Sequence, residues 1–247
     1  MNLNIKVIDK MEENEIKGII EAYNKLVKNI DIEAKNSDTR AYGGIVREGK
    51  GMLVESIAKT LVEIAWEKLG GKRDRLKFSD SKDKTTIKIP INKDYVNKLE
   101  DPEIKKYILD NIEKYTYTYK PDVLVFIDEQ PVLEIECKAY TENAMFKRIL
   151  VDSSLIKTIY PNIKFILLQL ESQLGGDYGE IKEKYIGSPS TTTLMSYFNV
   201  EIEIITLLKG ERKVDKPIHK EGFFKELTEE SLQIAINKIK KQLEEFI

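Results

Sequence analysis

Four ionisable side chains stand inside apolar runs between residues 120 and 140, KPDVLVFIDEQPVLEIECKAY: Asp122, Glu134, Glu136 and Lys138. Side chains of a strand alternate between faces. Val132, Glu134, Glu136 and Lys138 therefore point one way, and Leu133, Ile135, Cys137 and Ala139 the other. The second set is wholly apolar and belongs in a core. Asp122 shares its face with Leu124 and Phe126, and an antiparallel hairpin brings it to Glu136 and Lys138. Neighbouring carboxylates repel unless a cation compensates. Mg2+, held by one or two carboxylates plus waters and substrate phosphates, is the natural compensation. Lys138 adds a positive charge able to hold a phosphate or an attacking water. This combination suits phosphodiester hydrolysis, in which a metal activates water and stabilises developing charge. Glu134 also reads as an ordinary charge on the open face of a hairpin.

The alternation carries a test of register. A two-residue turn at Glu129-Gln130 sets Asp122 against Cys137, on the wrong face. For Asp122 to face Glu136, the loop must hold an odd number of residues or one strand must bulge. The expectation is a three-residue loop centred on Glu129, or a bulge.

Pro121-Asp122, thirteen intervening residues and Glu136-Cys137-Lys138 resemble the PD-(D/E)XK nuclease signature, including its flanking hydrophobic residues. Within that superfamily the chain looks most like a type II restriction endonuclease. The resemblance implies that Asp122 and Glu136 bind Mg2+ and that Lys138 orients the water nucleophile. It also implies an α/β fold with a central mixed β-sheet flanked by helices. It covers roughly residues 51 to 170, the core of a single nuclease domain spanning 1–247. The N- and C-terminal elaborations are left for DNA contact or dimerisation.

Many members of that family add a glutamate from a helix before the hairpin. The amphipathic run 51–69, GMLVESIAKTLVEIAWEKL, offers Glu55, Glu63 and Glu67. Val54, Ile57, Ala58, Leu61, Val62, Ala65 and Leu69 form one apolar stripe at helical spacing. Glu63 and Glu67 fall opposite it, whereas Glu55 lies at its edge and can reach a buried site as a further catalytic and metal-binding carboxylate. A carboxylate near a helix N-terminus also favours the dipole with no other role.

The elements that position these residues follow from periodicity. Residues 11–30 read as a helix, 35–51 as a polar loop and 51–69 as a helix ended by Gly70-Gly71. Residues 72–90 are charged apart from the alternating TTIKIPI, and 101–114 read as a short helix. YTYTYK is a strand, followed by the hairpin and by a helix over 141–159 with Thr141 as N-cap. KFILLQL reads as a strand buried on both faces. Residues 173–193 read as a long loop, 200–208 as a strand, and the chain closes with a helix from Thr228.

Candidate contacts to DNA are Lys147 and Arg148 on the helix after the motif, and Arg40, Tyr42 and Arg47 in the loop leading to Glu55. The 173–193 loop adds Tyr178, Lys182 and Lys184 and is the candidate for base readout, since long aperiodic loops are often functional. The net charge of −2 and a pI near 5.8 lack the strongly basic balance of many nucleic-acid binders. Local patches rather than net charge set such a footprint.

One cysteine, Cys137, excludes an intramolecular disulfide and a multi-cysteine zinc site. One histidine, His219, lies in KVDKPIHKEG and reads as a surface residue. No apolar run reaches the ~18 residues of a membrane helix, and the N-terminus lacks a signal-peptide pattern. The cytoplasm is the expected compartment. The expected activity is Mg2+-dependent, sequence-specific cleavage of double-stranded DNA by a homodimer, because a two-fold protein matches a two-fold site. A repair or recombination nuclease on the same core and a non-catalytic DNA-binding protein are the alternatives.

Overall fold

In the computed structural model the described residues are 2–37, 41–79, 86–175 and 188–247, with side chains from residue 13 onward. They form helices α1 (Asn2–Lys35), α2 (Tyr42–Lys68), α3 (Lys93–Asn97), α4 (Pro102–Asp110), α5 (Asn143–Ile159), α6 (Pro189–Ser196) and α7 (Glu229–Leu243). The strands are β1 (Leu76–Phe78), β2 (Ile87–Pro90), β3 (Thr116–Tyr119), β4 (Val123–Ile127), β5 (Gln130–Glu142), β6 (Lys164–Gln173) and β7 (Ile202–Thr206).

Strand β5 is central, and the sheet order is β1-β4-β5-β6-β7. Strand β4 runs antiparallel to β1 and β5, while β6 is parallel to both β5 and β7. This is the expected mixed sheet flanked by helices. On one face the stripe of α2 packs on Val123, Val125, Leu133, Ile135 and Cys137, joined by α1 and α7. On the other, Leu124, Phe165 and Leu167 meet Phe146, Ile149 and Leu150 of α5. A separate two-stranded sheet, β2-β3, lies on this second face, with Ile87 and Ile89 in the same apolar cluster. Each fully buried Leu, Ile or Phe contributes about 1.5–3 kcal/mol relative to exposure, so both faces hold β5 in place.

The hairpin answers the register question. A two-residue turn falls at Asp128-Glu129, both at positive φ (49° and 64°), and pairs Ile127 with Gln130. Such mirror-image turns match the twist of antiparallel strands. Arg75 clamps the turn with a 2.7 Å bond from Nη2 to Asp128 Oδ2, and Lys77 pairs with Glu129. The register then shifts: Phe126 faces Pro131 while Val125 faces Leu133. Val132 is the extra residue, beside a proline that has no N–H for the ladder. It joins Leu133 in the α2-side core rather than sharing the face of Glu134. The bulge moves every later pair by one, so Val123 meets Ile135 and Asp122 falls beside Glu136.

Several boundaries differ from the sequence reading. Helix α2 starts at Tyr42, so Tyr42 and Arg47 are helical rather than in a loop. Of the glycines that suggested a loop, Gly49 permits close packing, since a Cβ there would stand 2.6 Å from Ile30 Cδ1 of α1, while Gly43, Gly44 and Gly51 face open space. Thr141 is not a cap. Strand β5 continues through Glu142 because Thr141 and Glu142 pair with Ser172 and Gln173 of β6, and α5 begins without a side-chain cap. Helix α4 is shorter than 101–114, with Asp101 accepting from the Glu103 and Ile104 amides. Residues 189–193 belong to α6, capped by Ser188. In the charged segment, Leu76–Phe78 pairs with β4 as an edge strand. The closing helix starts where expected, with Thr228 as its N-cap, accepting from the Ser231 amide. Among the described residues no helix is long and apolar enough to cross a membrane.

Candidate active site

Asp122 immediately precedes β4, and Glu134, Glu136 and Lys138 follow one another along a face of β5. The Lys138 ammonium stands between two carboxylates, 2.9 Å from Asp122 Oδ2 and 2.5 Å from Glu136 Oε1. Asp122 Oδ2 also accepts the Cys137 amide at 2.9 Å, which pins the carboxylate to the adjoining strand. The side chains of Asp122 and Lys138 are about one-fifth exposed (20% and 22%), whereas Glu136 is at 7%. The cluster is thus open at its Asp122–Lys138 end and closed behind Glu136.

Burial and then the Asp122 charge push the Glu136 carboxyl above the ordinary carboxylate range, against Lys138. Burial alone would lower Lys138, but the charges of Glu136 and Asp122 outweigh it and hold the ammonium well above its usual value. Burial also makes the Cys137 thiol inert, helped by Asp122, Glu136 and Glu55.

Glu134 and Tyr119 complete the closed end, and neither role was legible in the sequence. Glu134 is buried at 1% exposure, not on an open face. The Tyr119 hydroxyl, from β3, lies 2.9 Å from Glu134 Oε1 and 2.9 Å from Glu136 Oε2. It has one proton, so it donates to one carboxyl group and accepts from the other. Burial and then the Glu136 charge push Glu134 far above the ordinary range, which favours its neutral form. Burial, then both glutamates, push the Tyr119 hydroxyl far above its usual value. Gln169 of β6 pairs with Lys138 and donates to Thr206 Oγ1 at 3.0 Å. Its Oε1 is buried with no hydrogen-bond partner. The apolar run KFILLQL hid this polar position.

Glu55 lies half-buried on α2, and its charge is felt at Cys137, whose amide binds Asp122. Among the described residues no three His, Cys, Asp or Glu side chains form a ready metal cage. The pair Asp122–Glu136 with Lys138 between them is therefore the grouping present. Its donors are hard carboxylate oxygens in negative excess, a set suited to a hard divalent cation.

The residues expected at DNA separate into three groups. Lys147 and Arg148 are exposed on α5, where Arg148 lies 3.7 Å from Asp152, and Arg47 is exposed on α2. Tyr42 is instead tied into a polar chain, donating to Asp31 Oδ1 at 2.5 Å. Arg40, Tyr178, Lys182 and Lys184 lie outside the described residues.

His219 is not a plain surface residue either. Its Nε2 is 3.0 Å from Tyr42 Oη and its Nδ1 is 3.0 Å from Nζ of Lys50, which is 7% exposed. Burial, then the charges of Lys50 and Lys220, push His219 down to about 4. Burial pushes Lys50 down to about 8, with Arg212 acting in the same direction and Glu171 opposing.

The sequence is 49% identical over 238 residues to the type II restriction enzyme DdeI of Desulfomicrobium norvegicum, covering 94% of this chain and 98% of that protein. The chain belongs to the type II restriction enzymes. It is accordingly a site-specific deoxyribonuclease. Among solved structures, a chain of the native BbvCI A2B2 tetramer aligns with 98% of this chain and 91% of its own length. The identity is 11% and the TM-score 0.36, too loose a likeness to bear on the site. No protein-family model matches the sequence.

Proposed function

We propose that the enzyme hydrolyses both strands of a specific DNA site in a Mg2+-dependent reaction at Asp122, Glu136 and Lys138, acting as a cytoplasmic homodimer. The observation that carries this reading is the Lys138 ammonium held between two carboxylates at 2.9 and 2.5 Å at the open end of the cluster. Asp122 and Glu136 supply anionic oxygens for the metal, with Glu55 completing the set from α2. When bound, Mg2+ supplies Lewis acidity and lowers the pKa of an attacking water.

In hydrolysis a water oxygen bonds to phosphorus, the bond to the sugar oxygen breaks, and the leaving oxygen takes up a proton. Lys138, turned from the carboxylates to the substrate, holds the water or a non-bridging phosphate oxygen by a charge-assisted hydrogen bond. The Cys137 amide keeps Asp122 in place during that exchange. Lys147, Arg148 and Arg47 supply exposed cations for backbone phosphates, which position a duplex without reading it. Arg40, Tyr42, Tyr178, Lys182 and Lys184 are further candidate DNA contacts. A two-fold site requires two such centres, which a homodimer supplies.

A digest tests the reading. Long duplex DNA of known sequence is incubated with the protein in Mg2+ or EDTA and resolved on a gel. The expected result is discrete bands only with Mg2+, lost in Lys138→Ala. A smear would point to a repair nuclease, and binding without cutting under any metal would point to a non-catalytic protein.

A further inference from the structure

We infer that Tyr119 is a positioning residue for Glu136, clamping its carboxylate from a second sheet so that one oxygen stays turned toward the metal and Lys138. The inference rests on reading Asp122 and Glu136 as metal ligands.

The terminal torsion of a glutamate is broad and weakly restrained. A ligating carboxylate therefore keeps one orientation only when its outer oxygen is fixed, and such outer partners tune metal sites strongly. In Glu136 the two oxygens have different partners. Oε1 faces Lys138 at 2.5 Å, and Oε2 faces the Tyr119 hydroxyl at 2.9 Å. A cation taking the place of Lys138 at Oε1 leaves the Oε2 contact as the fixed point.

Tyr119 is itself anchored independently of the carboxylates. It ends β3, pairs with Ile87 of β2, and its ring packs with the apolar cluster containing Phe146, Ile149 and Leu150 of α5. Glu134 holds the hydroxyl on its far side at 2.9 Å. Two residues earlier on the same strand, the Tyr117 hydroxyl donates at 2.8 Å to Asp152 Oδ1 of α5, away from the site. The strand thus presents two similar tyrosine–carboxylate bonds, and one of them ends on a catalytic group.

The test compares Tyr119→Phe with Tyr117→Phe, each losing one hydroxyl. Mn2+ affinity is measured by calorimetry on the DNA-free protein, and cleavage is measured for kcat and KM separately. Tyr119→Phe is expected to weaken Mn2+ binding by about tenfold or more and to lower kcat with KM for DNA unchanged. Tyr117→Phe is expected to change neither. Mn2+ affinity of Tyr119→Phe within about twofold of the parent overturns the inference.

Asp122→Asn serves as the control on the underlying reading. Retained Mn2+ affinity in that variant would sink the metal site itself, whatever Tyr119→Phe does. Should Tyr119→Phe fail to fold, Glu134→Gln keeps a neutral partner for the hydroxyl, and its Mn2+ affinity is expected within about threefold of the parent. A tenfold loss there would give the role to the Glu134 charge and overturn the assignment to Tyr119.

Discussion

Two polar networks in this molecule use similar parts to opposite effect. At the end of the hairpin, Asp122 and Glu136 share one ammonium, Lys138, while Glu136 and Glu134 share one tyrosine, Tyr119. Between α1, α2 and the segment around His219, one carboxylate, Asp31, meets Lys35 at 2.7 Å, Lys220 at 2.5 Å and Tyr42. The chain then runs on through His219 to Lys50. Hydrogen bonds from Lys220, Lys35 and Tyr42 hold the Asp31 carboxyl well below the usual range. The first network has surplus negative charge and the second has surplus cations. A surplus of carboxylates is relieved by protonation or by an incoming cation. The second network relieves its own excess by keeping His219 neutral, and so braces the helices without asking for a ligand.

The largest effect expected from breaking this contrast is at Asp122. Asp122→Asn removes a charge from the open end of the cluster and is expected to slow single-turnover cleavage by about 1,000-fold, since metal stabilisation of the transition state is worth several kcal/mol. Asp31→Asn, the matching change in the other network, is expected to lower the melting temperature and leave the cleavage rate within about tenfold. Equal losses in the two variants would erase the distinction.

A smaller effect is expected at Glu55, whose charge reaches the site from the neighbouring helix. Glu55→Gln is expected to lower kcat by about 10–100-fold, measured under saturating DNA. A rate equal to that of the parent would remove Glu55 from the metal set and leave it as a half-buried charge in the middle of α2, three turns past the Tyr42 start and out of reach of the helix dipole's N-terminal end.

The smallest effect concerns pH and stability at Glu134. Its folded-state pKa is raised, so the folded protein holds a proton that the unfolded chain releases at about pH 4.3. The stability tied to this group is fully present below that pH and is lost as pH rises toward the folded value. Glu134→Gln cannot titrate. Its melting temperature is expected to exceed that of the parent by a margin that grows from pH 5 to pH 8, read by circular dichroism. A margin that stays constant over that range would mean that Glu134 is charged in the fold as it is in the unfolded chain.

The sequence made local features legible and left non-local ones hidden. Strand alternation with a required parity was enough to demand either an odd loop or a bulge, and the bulge at Val132 brings Asp122 beside Glu136. The apolar stripe of α2 and the start of the closing helix at Thr228 were equally readable, because each depends on neighbours within two turns. The start of α2 was missed because Gly43, Gly44, Gly49 and Gly51 resemble loop residues. What allows Gly49 in a helix is Ile30 on another helix. Glu134 looked free to face water because its cover, Tyr119, comes from a separate sheet. The partners of His219 lie at least 169 residues away in sequence, so no local pattern could disclose them.

The most direct test of the contrast is the single-turnover cleavage rate of Lys138→Ala beside His219→Ala, both in saturating Mg2+. With DNA affinity preserved, Lys138→Ala is expected to cut at least about 100-fold more slowly, and His219→Ala to stay within about fivefold of the parent. Cleavage by Lys138→Ala at the parental rate, or a His219→Ala enzyme as slow as Lys138→Ala, would contradict the placement of the chemistry at the hairpin.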